Sequence, residues 1–179
     1  MTRIFISIDI PENIQQEIEK IQNRLPEFAG KKTEIENLHL TLKFLGEISK
    51  EEIEKIRKRL KEIKFSQFET SIDELGVFSE KFVRIVWLHL SNCEEIQKII
   101  DEKLSGSFSK EKRFMSHLTI ARVKRLDNKG YFSSELKKIK IPRIGFVVDS
   151  FRLKKSTLTP KGPVYETLEE YFLKKRNIN

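Results

Sequence analysis

Apolar residues recur at every second position near the N-terminus. Ile4, Ile6, Ile8 and Ile10 share one side of Arg3–Ile10, the period of a strand. Phe5 adds an apolar side chain to the opposite side, so this strand is expected to be covered on both faces. From Pro11 the apolar spacing lengthens to three or four: Ile14, Ile18, Ile21 and Leu25 predict a helix opened by Pro11 and stopped by Pro26. A loop containing Gly30 leads to a second strand, Leu38 to Leu45. Its apolar face is Leu38, Leu40, Leu42 and Phe44, with Phe44 read as core, and its other face is His39, Thr41 and Lys43. Ser49 and Glu52 form a capping box for a helix carrying Ile53, Ile56, Leu60 and Ile63.

Two strands are expected around Phe68–Val77 and Phe82–Leu90, and Asn92 then caps a third helix through Leu104, with Ile96, Ile99 and Ile100 inward. Phe114–Val123 reads as a strand and 131–138 as a short helix. Two last strands, near 144–154 and 164–173, are joined by a turn through Pro160, Lys161, Gly162 and Pro163. Strands come in adjacent pairs between helices, which predicts an α+β fold with mixed or antiparallel sheets.

The 179 residues suit one domain spanning 1–179, and no segment reads as a linker. No apolar run approaches the roughly 20 residues that cross a bilayer. The start is too short and too quickly acidic for a secretory signal, so a soluble, cytoplasmic protein is expected. A single cysteine, Cys93, excludes an internal disulfide framework and is read as a buried structural thiol. The net charge of +8 is uneven: residues 1–89 carry −1 and residues 90–179 carry +9. A basic half fits a polyanionic partner, nucleic acid first, and charge alone fits a solvated lysine-rich surface equally well.

Two of the three histidines stand in the same frame. His39-Leu40-Thr41-Leu42 is echoed by His117-Leu118-Thr119-Ile120. In a strand, residues i and i+2 share a face while i+1 and i+3 anchor the other. Each copy therefore presents an imidazole beside a hydroxyl from an apolar-anchored strand. Imidazole both gives and takes protons near neutral pH, and threonine hydroxyls can bond phosphate oxygens. If the two strands lie together, such a cleft runs acid–base chemistry with no metal or cofactor. Zinc is the alternative, but two histidines lack an evident third ligand. His89 has no threonine two positions on and is read as structural.

The chain resembles the RNA 2′,3′-cyclic phosphodiesterases, also described as 2′-5′ RNA ligases, of the two-histidine phosphoesterases. The resemblance runs through RIFISIDIPE, NLHLTLKFLGEI at 37–48, GVF at 76–78, RFMSHLTIARV at 113–123 and STLTPKGPVYE at 156–166. Ser116 departs from the proline usual before the second histidine. The resemblance implies a bilobed fold, two pseudo-symmetric lobes each with an antiparallel sheet and flanking helices around a central cleft.

It also implies an enzyme: a monomer that hydrolyses the 2′,3′-cyclic phosphodiester at an RNA end, or of a nucleoside 2′,3′-cyclic phosphate, to a 2′-phosphate. In that scheme His117 accepts the proton of the attacking water, His39 donates one to the leaving O3′, and Thr41 and Thr119 hold nonbridging oxygens. Lys43 shares the strand face of His39 and is a candidate cleft cation. Arg122 points away from His117 in a regular strand, and the resemblance brings it to the cleft only through a bulge or twist. Tyr165 is a candidate base-stacking or packing residue. Ligation by the reverse reaction, an inert RNA-binding module and action on a small cyclic phosphate stay open.

Overall fold

A computed structural model describes residues 1–160 and 162–175; of the expected turn at 160–163, Lys161 lies outside the described residues. The strands are β1 (Thr2–Asp9), β2 (Ala29–Lys32), β3 (His39–Ile48), β4 (Phe68–Val77), β5 (Ile85–Leu90), β6 (His117–Arg125), β7 (Ile144–Val148), β8 (Ser150–Thr159) and β9 (Gly162–Phe172). The helices are α1 (Glu12–Asn23), α2 (Lys50–Lys61), α3 (Glu94–Leu104) and α4 (Lys129–Lys138). The α+β expectation holds.

The strand order is β7-β4-β5-β6-β3-β1-β8-β9, with β2 added along β6, and the paired strands run antiparallel. The order reads outward from the centre as β3-β1-β8-β9 on one side and β6-β5-β4-β7 on the other. Each half is led by one motif strand. The halves meet through a single residue pair, Leu40 with Leu118, both fully buried. The two sheets expected from the resemblance are thus joined into one at this seam.

The helices lie on the apolar face of the sheet. Ile14, Ile18 and Ile21 of α1 and Ile96, Ile100 and Leu104 of α3 are buried there. Burying an isoleucine or leucine side chain is worth about 2–3 kcal/mol, so these stripes hold the helices down. The packing is crossed: α1, which follows β1, lies against β6, while α3, which follows β5, lies against β3. The capping box of α2 forms as predicted, with Ser49 accepting from the Glu52 amide and Glu52 accepting from the Ser49 amide.

Three local expectations are corrected. The segment 29–32, read as loop, is a strand, because its pairing with β6 is made by backbone and its four exposed residues carry no apolar period. The stretch 144–154 is two strands rather than one. It breaks at Asp149, where the chain passes from β4 to β1 as its pairing partner. Asn92 does not cap α3: it adopts φ 62°, its side chain bonds the Glu69 carbonyl, and Cys93 takes the N-cap position without a side-chain cap.

Candidate active site

The concave face of the sheet holds a cleft of about 520 Å³ at the seam between the halves. His39, Thr41, His117 and Thr119 all line it, as do Arg122 and Tyr165. The alternation within each motif accounts for this. Leu40, Leu42, Leu118 and Ile120 are buried on the helix side, and their neighbours are left facing the cleft.

The two imidazoles are held alike. His39 Nδ1 lies 2.7 Å from the Asn37 carbonyl oxygen, and His117 Nδ1 lies 2.8 Å from that of Met115. A carbonyl only accepts, so Nδ1 carries the proton in both rings and Nε2 is the atom free to exchange one. Flat side chains fix the ring planes. Phe5 and Tyr165 have centroids 5.0 Å from that of His39, Tyr165 edge-on. Phe78 stands edge-on to His117 at 4.9 Å. Behind Phe78, Trp87 packs over Gly76, where a Cβ would fall 2.5 Å from Trp87 Cη2, which explains the glycine of the GVF segment.

Beyond each motif the strand departs from regular alternation, at the same place. Against β1, Ile6 pairs with Lys43 but Ser7 pairs with Thr41, which leaves Leu42 as an extra residue. Against β5, Val86 pairs with Ala121 but Trp87 pairs with Thr119, which leaves Ile120 as the extra residue. Each is a β-bulge at the fourth motif position, and each swaps the faces that follow. Arg122 is thereby turned into the cleft, as the resemblance required.

The same swap corrects two readings in β3. Lys43 is not a cleft cation: it is buried on the helix side, paired with Asp101 of α3, and donates to the Ser109 carbonyl at 2.7 Å. Phe44, read as core, faces the cleft with 66% of its surface exposed. Both were legible in principle, because the shift that admits Arg122 at motif position six also admits Phe44 at the equivalent place. Phe5, expected to cover the second face of β1, lines the cleft, and so do Arg3 and Lys31, to which the sequence assigned no role. Gly30 lets β2 approach; a Cβ there would collide with the Arg122 carbonyl oxygen.

Buried polar groups from the crossed helices support both bulges. Gln22 of α1 donates to the Ile120 carbonyl at 2.8 Å and to that of Thr33 at 2.9 Å. On the other side Asp101 accepts from Lys43, from Gln97 and from the Glu111 amide at 2.7 Å. Burial alone would raise the Asp101 carboxyl, but the bond to Lys43 and the others outweigh it and hold it below its ordinary value.

The surroundings of His39 are electrostatically specific. Burial pushes its pKa down to about 4. The Asn37 carbonyl opposes that shift, the Lys154 ammonium adds to it, Asp9 opposes it and Arg122 adds to it again. Asp9, paired in register with His39, accepts from Arg152 and from Lys154 at 2.6 Å. Burial works to raise Asp9, yet bonding to Lys154 and Arg152 keeps it ionised below the usual range. Burial also raises the Tyr165 phenol.

His89 is outside the cleft lining and bonds Asp73 at 2.6 Å. Cys93 is buried, which raises its thiol to about 11. Lys110, Lys112 and Arg113, the basic residues that lead into the second motif, are exposed but do not line the cleft. No group of three or more His, Cys, Asp or Glu among the described residues is placed to hold a metal, and no helix among them is long and apolar enough to cross a membrane.

Two mirrored His-x-Thr strands at the seam of one antiparallel sheet define a two-histidine phosphoesterase. Comparison with known proteins agrees. The chain is 40% identical over 174 residues to the RNA 2′,3′-cyclic phosphodiesterase of Methanocaldococcus jannaschii, covering 94% of this chain and 99% of that protein. It is 35% identical over 176 residues to the protein of the same name from Archaeoglobus fulgidus, with the same two coverages. In fold it resembles Escherichia coli LigT crystallised with 3′-AMP, at a TM-score of 0.78 and 24% identity, covering 97% of this chain and 98% of that one. The chain belongs to the LigT-like phosphoesterase family, whose model matches residues 8–87 and 90–165, each stretch containing one motif.

Proposed function

We propose that this protein hydrolyses 2′,3′-cyclic phosphodiesters at RNA 3′ ends, leaving a 2′-phosphate, and that it does so as a cytoplasmic monomer. The observation that carries this reading is the pair of imidazoles in one cleft, each fixed through Nδ1 with Nε2 left to exchange a proton. The relatives named for this activity align over nearly the whole chain and support the substrate class.

Displacement at phosphorus needs one group to take the proton of water and another to give one to the departing oxygen. His117 acts as the acceptor and His39 as the donor to O3′. Thr41 and Thr119 hold the nonbridging oxygens, and Arg122 offsets their charge. The half-buried His39, neutral in the free protein, gains its proton as the anionic phosphodiester enters, because a negative charge beside the ring favours the imidazolium. Phe44 and Tyr165 offer flat surfaces for the terminal base.

The test is turnover of a nucleoside 2′,3′-cyclic phosphate in chelator, with the product's phosphate position read by NMR. His39→Ala and His117→Ala are each expected to lose about 10²- to 10⁴-fold in kcat. Wild-type turnover in both variants would leave the histidines without a role and overturn the reading.

A further inference from the structure

Beside His117, outside the cleft lining, lies a surface that the reaction scheme leaves unused. Phe78 stands perpendicular to the His117 ring while 53% of its surface stays exposed, and four residues on Phe82 is 62% exposed. The loop carrying both leads into Ile85, which lines the cleft. Two ammonium groups attend this loop: Lys81 Nζ lies 5.5 Å and Lys129 Nζ 5.7 Å from the Phe82 ring centroid. Lys129 also donates to the Lys81 carbonyl at 3.3 Å, which ties the start of α4 to the loop. Among the described residues the nearby carboxylate of Glu80 is engaged by Lys137.

Its contacts with His117 and Trp87 leave half of Phe78 open to solvent, and holding His117 in place does not explain Phe82 at all. An exposed aromatic ring flanked by two cations, on a loop that carries a second exposed ring and leads into a cleft, is what a flexible polyanion of stackable bases recognises. An exposed cation–π contact is weak, about 0.5–1 kcal/mol, so both ammonium groups can exchange it for phosphate contacts.

We propose that Phe78, Phe82, Lys81 and Lys129 form a shelf that binds the one or two nucleotides preceding the 3′ end of single-stranded RNA. The proposal deepens the cyclic-phosphodiesterase reading and rests on it. Bases stack on the rings, the lysines meet the intervening phosphates, and a chain is bound better than a mononucleotide.

The experiment measures the Kd of a six-nucleotide single-stranded RNA ending in a 2′-phosphate, for wild type, Phe82→Ala and Lys129→Gln. A second RNA lacks the bases of the two nucleotides before the end. Stacking losses of this kind amount to about 5- to 100-fold. Phe82→Ala is expected to weaken the intact RNA by a factor in that range, and to weaken the abasic RNA little further. Lys129→Gln should also lower the salt dependence of binding.

Equal affinity of wild type and Phe82→Ala for the intact RNA would overturn the shelf. So would a wild-type dimer that Phe82→Ala dissociates with RNA affinity unchanged, because the surface would then be covered by a second copy. Turnover of a nucleoside 2′,3′-cyclic phosphate, measured alongside, judges the catalytic reading separately. Phe82 does not line the cleft, so Phe82→Ala should keep that rate.

Discussion

The low basicity of His39 makes a quantitative statement about stability. The unfolded imidazole titrates near its ordinary value of 6.5, the folded one at about 4. Above pH 6.5 both states are neutral and nothing is gained or lost. As pH falls through 6.5 the unfolded chain takes a proton that the folded protein refuses. Stability then drops by about 1.4 kcal/mol per pH unit, and the loss stops only when the folded ring is protonated too.

At pH 4.5 the accumulated cost is about 2–3 kcal/mol. Asp9 and Asp101, whose carboxyls are held low, also weaken the fold in acid, but they do so equally in a variant that keeps them. The comparison is therefore wild type against His39→Gln, each unfolded in urea at pH 7.5 and 4.5 and followed by fluorescence of the only tryptophan, the buried Trp87. Wild type should lose about 2–3 kcal/mol more than the variant between the two pH values. Equal losses would mean that the folded ring titrates like a free one, and the account of its burial beneath Phe5 and Tyr165 would fail.

Three further outcomes are expected. If substrate charge restores the proton on His39, the pH limb belonging to that group lies higher in kcat, which reports the bound state, than in kcat/KM, which reports the free protein; coincident limbs would contradict this. Lys43→Met leaves Asp101 without its cation and should cost about 3–5 kcal/mol in chemical denaturation, much of it recovered in the double variant Lys43→Met, Asp101→Leu; an unchanged single variant would show the pair to be idle. Arg122→Ala should raise KM for a cyclic nucleotide by about 10-fold, on the scale of one charge-assisted hydrogen bond, and an unchanged KM would place the guanidinium outside the bound state.

The repeated elements were legible because burial enforces them. A strand whose Leu40 and Leu118 must face the helices leaves His39 and His117 no choice of side, and the Ser49 capping box announces α2 by chemistry that is wholly local. What escaped was set by interactions that the period cannot carry. The bulges at Leu42 and Ile120 are stabilised by Lys43 with Asp101 and by Gln22, from helices that follow different strands in the chain. Alternation read in one strand alone therefore put Lys43 in the cleft and Phe44 in the core. The β2 strand was invisible for another reason: its sequence, AGKK, buries nothing and pairs through backbone alone. The break at Asp149 was marked only by the polar pair Asp149-Ser150 inside an otherwise strand-like run, with no glycine or proline beside it.

The two bulges do the same thing to different letters of the sequence. Because β3 and β6 run antiparallel past Leu40 and Leu118, the side chains they release point toward opposite ends of the cleft, a benzyl group from one and a guanidinium from the other. A near-symmetric frame thus acquires a polarity. Under the proposed reaction, a ligand with one flat end and one anionic end would then have a single way in, and the two imidazoles would meet different atoms of it.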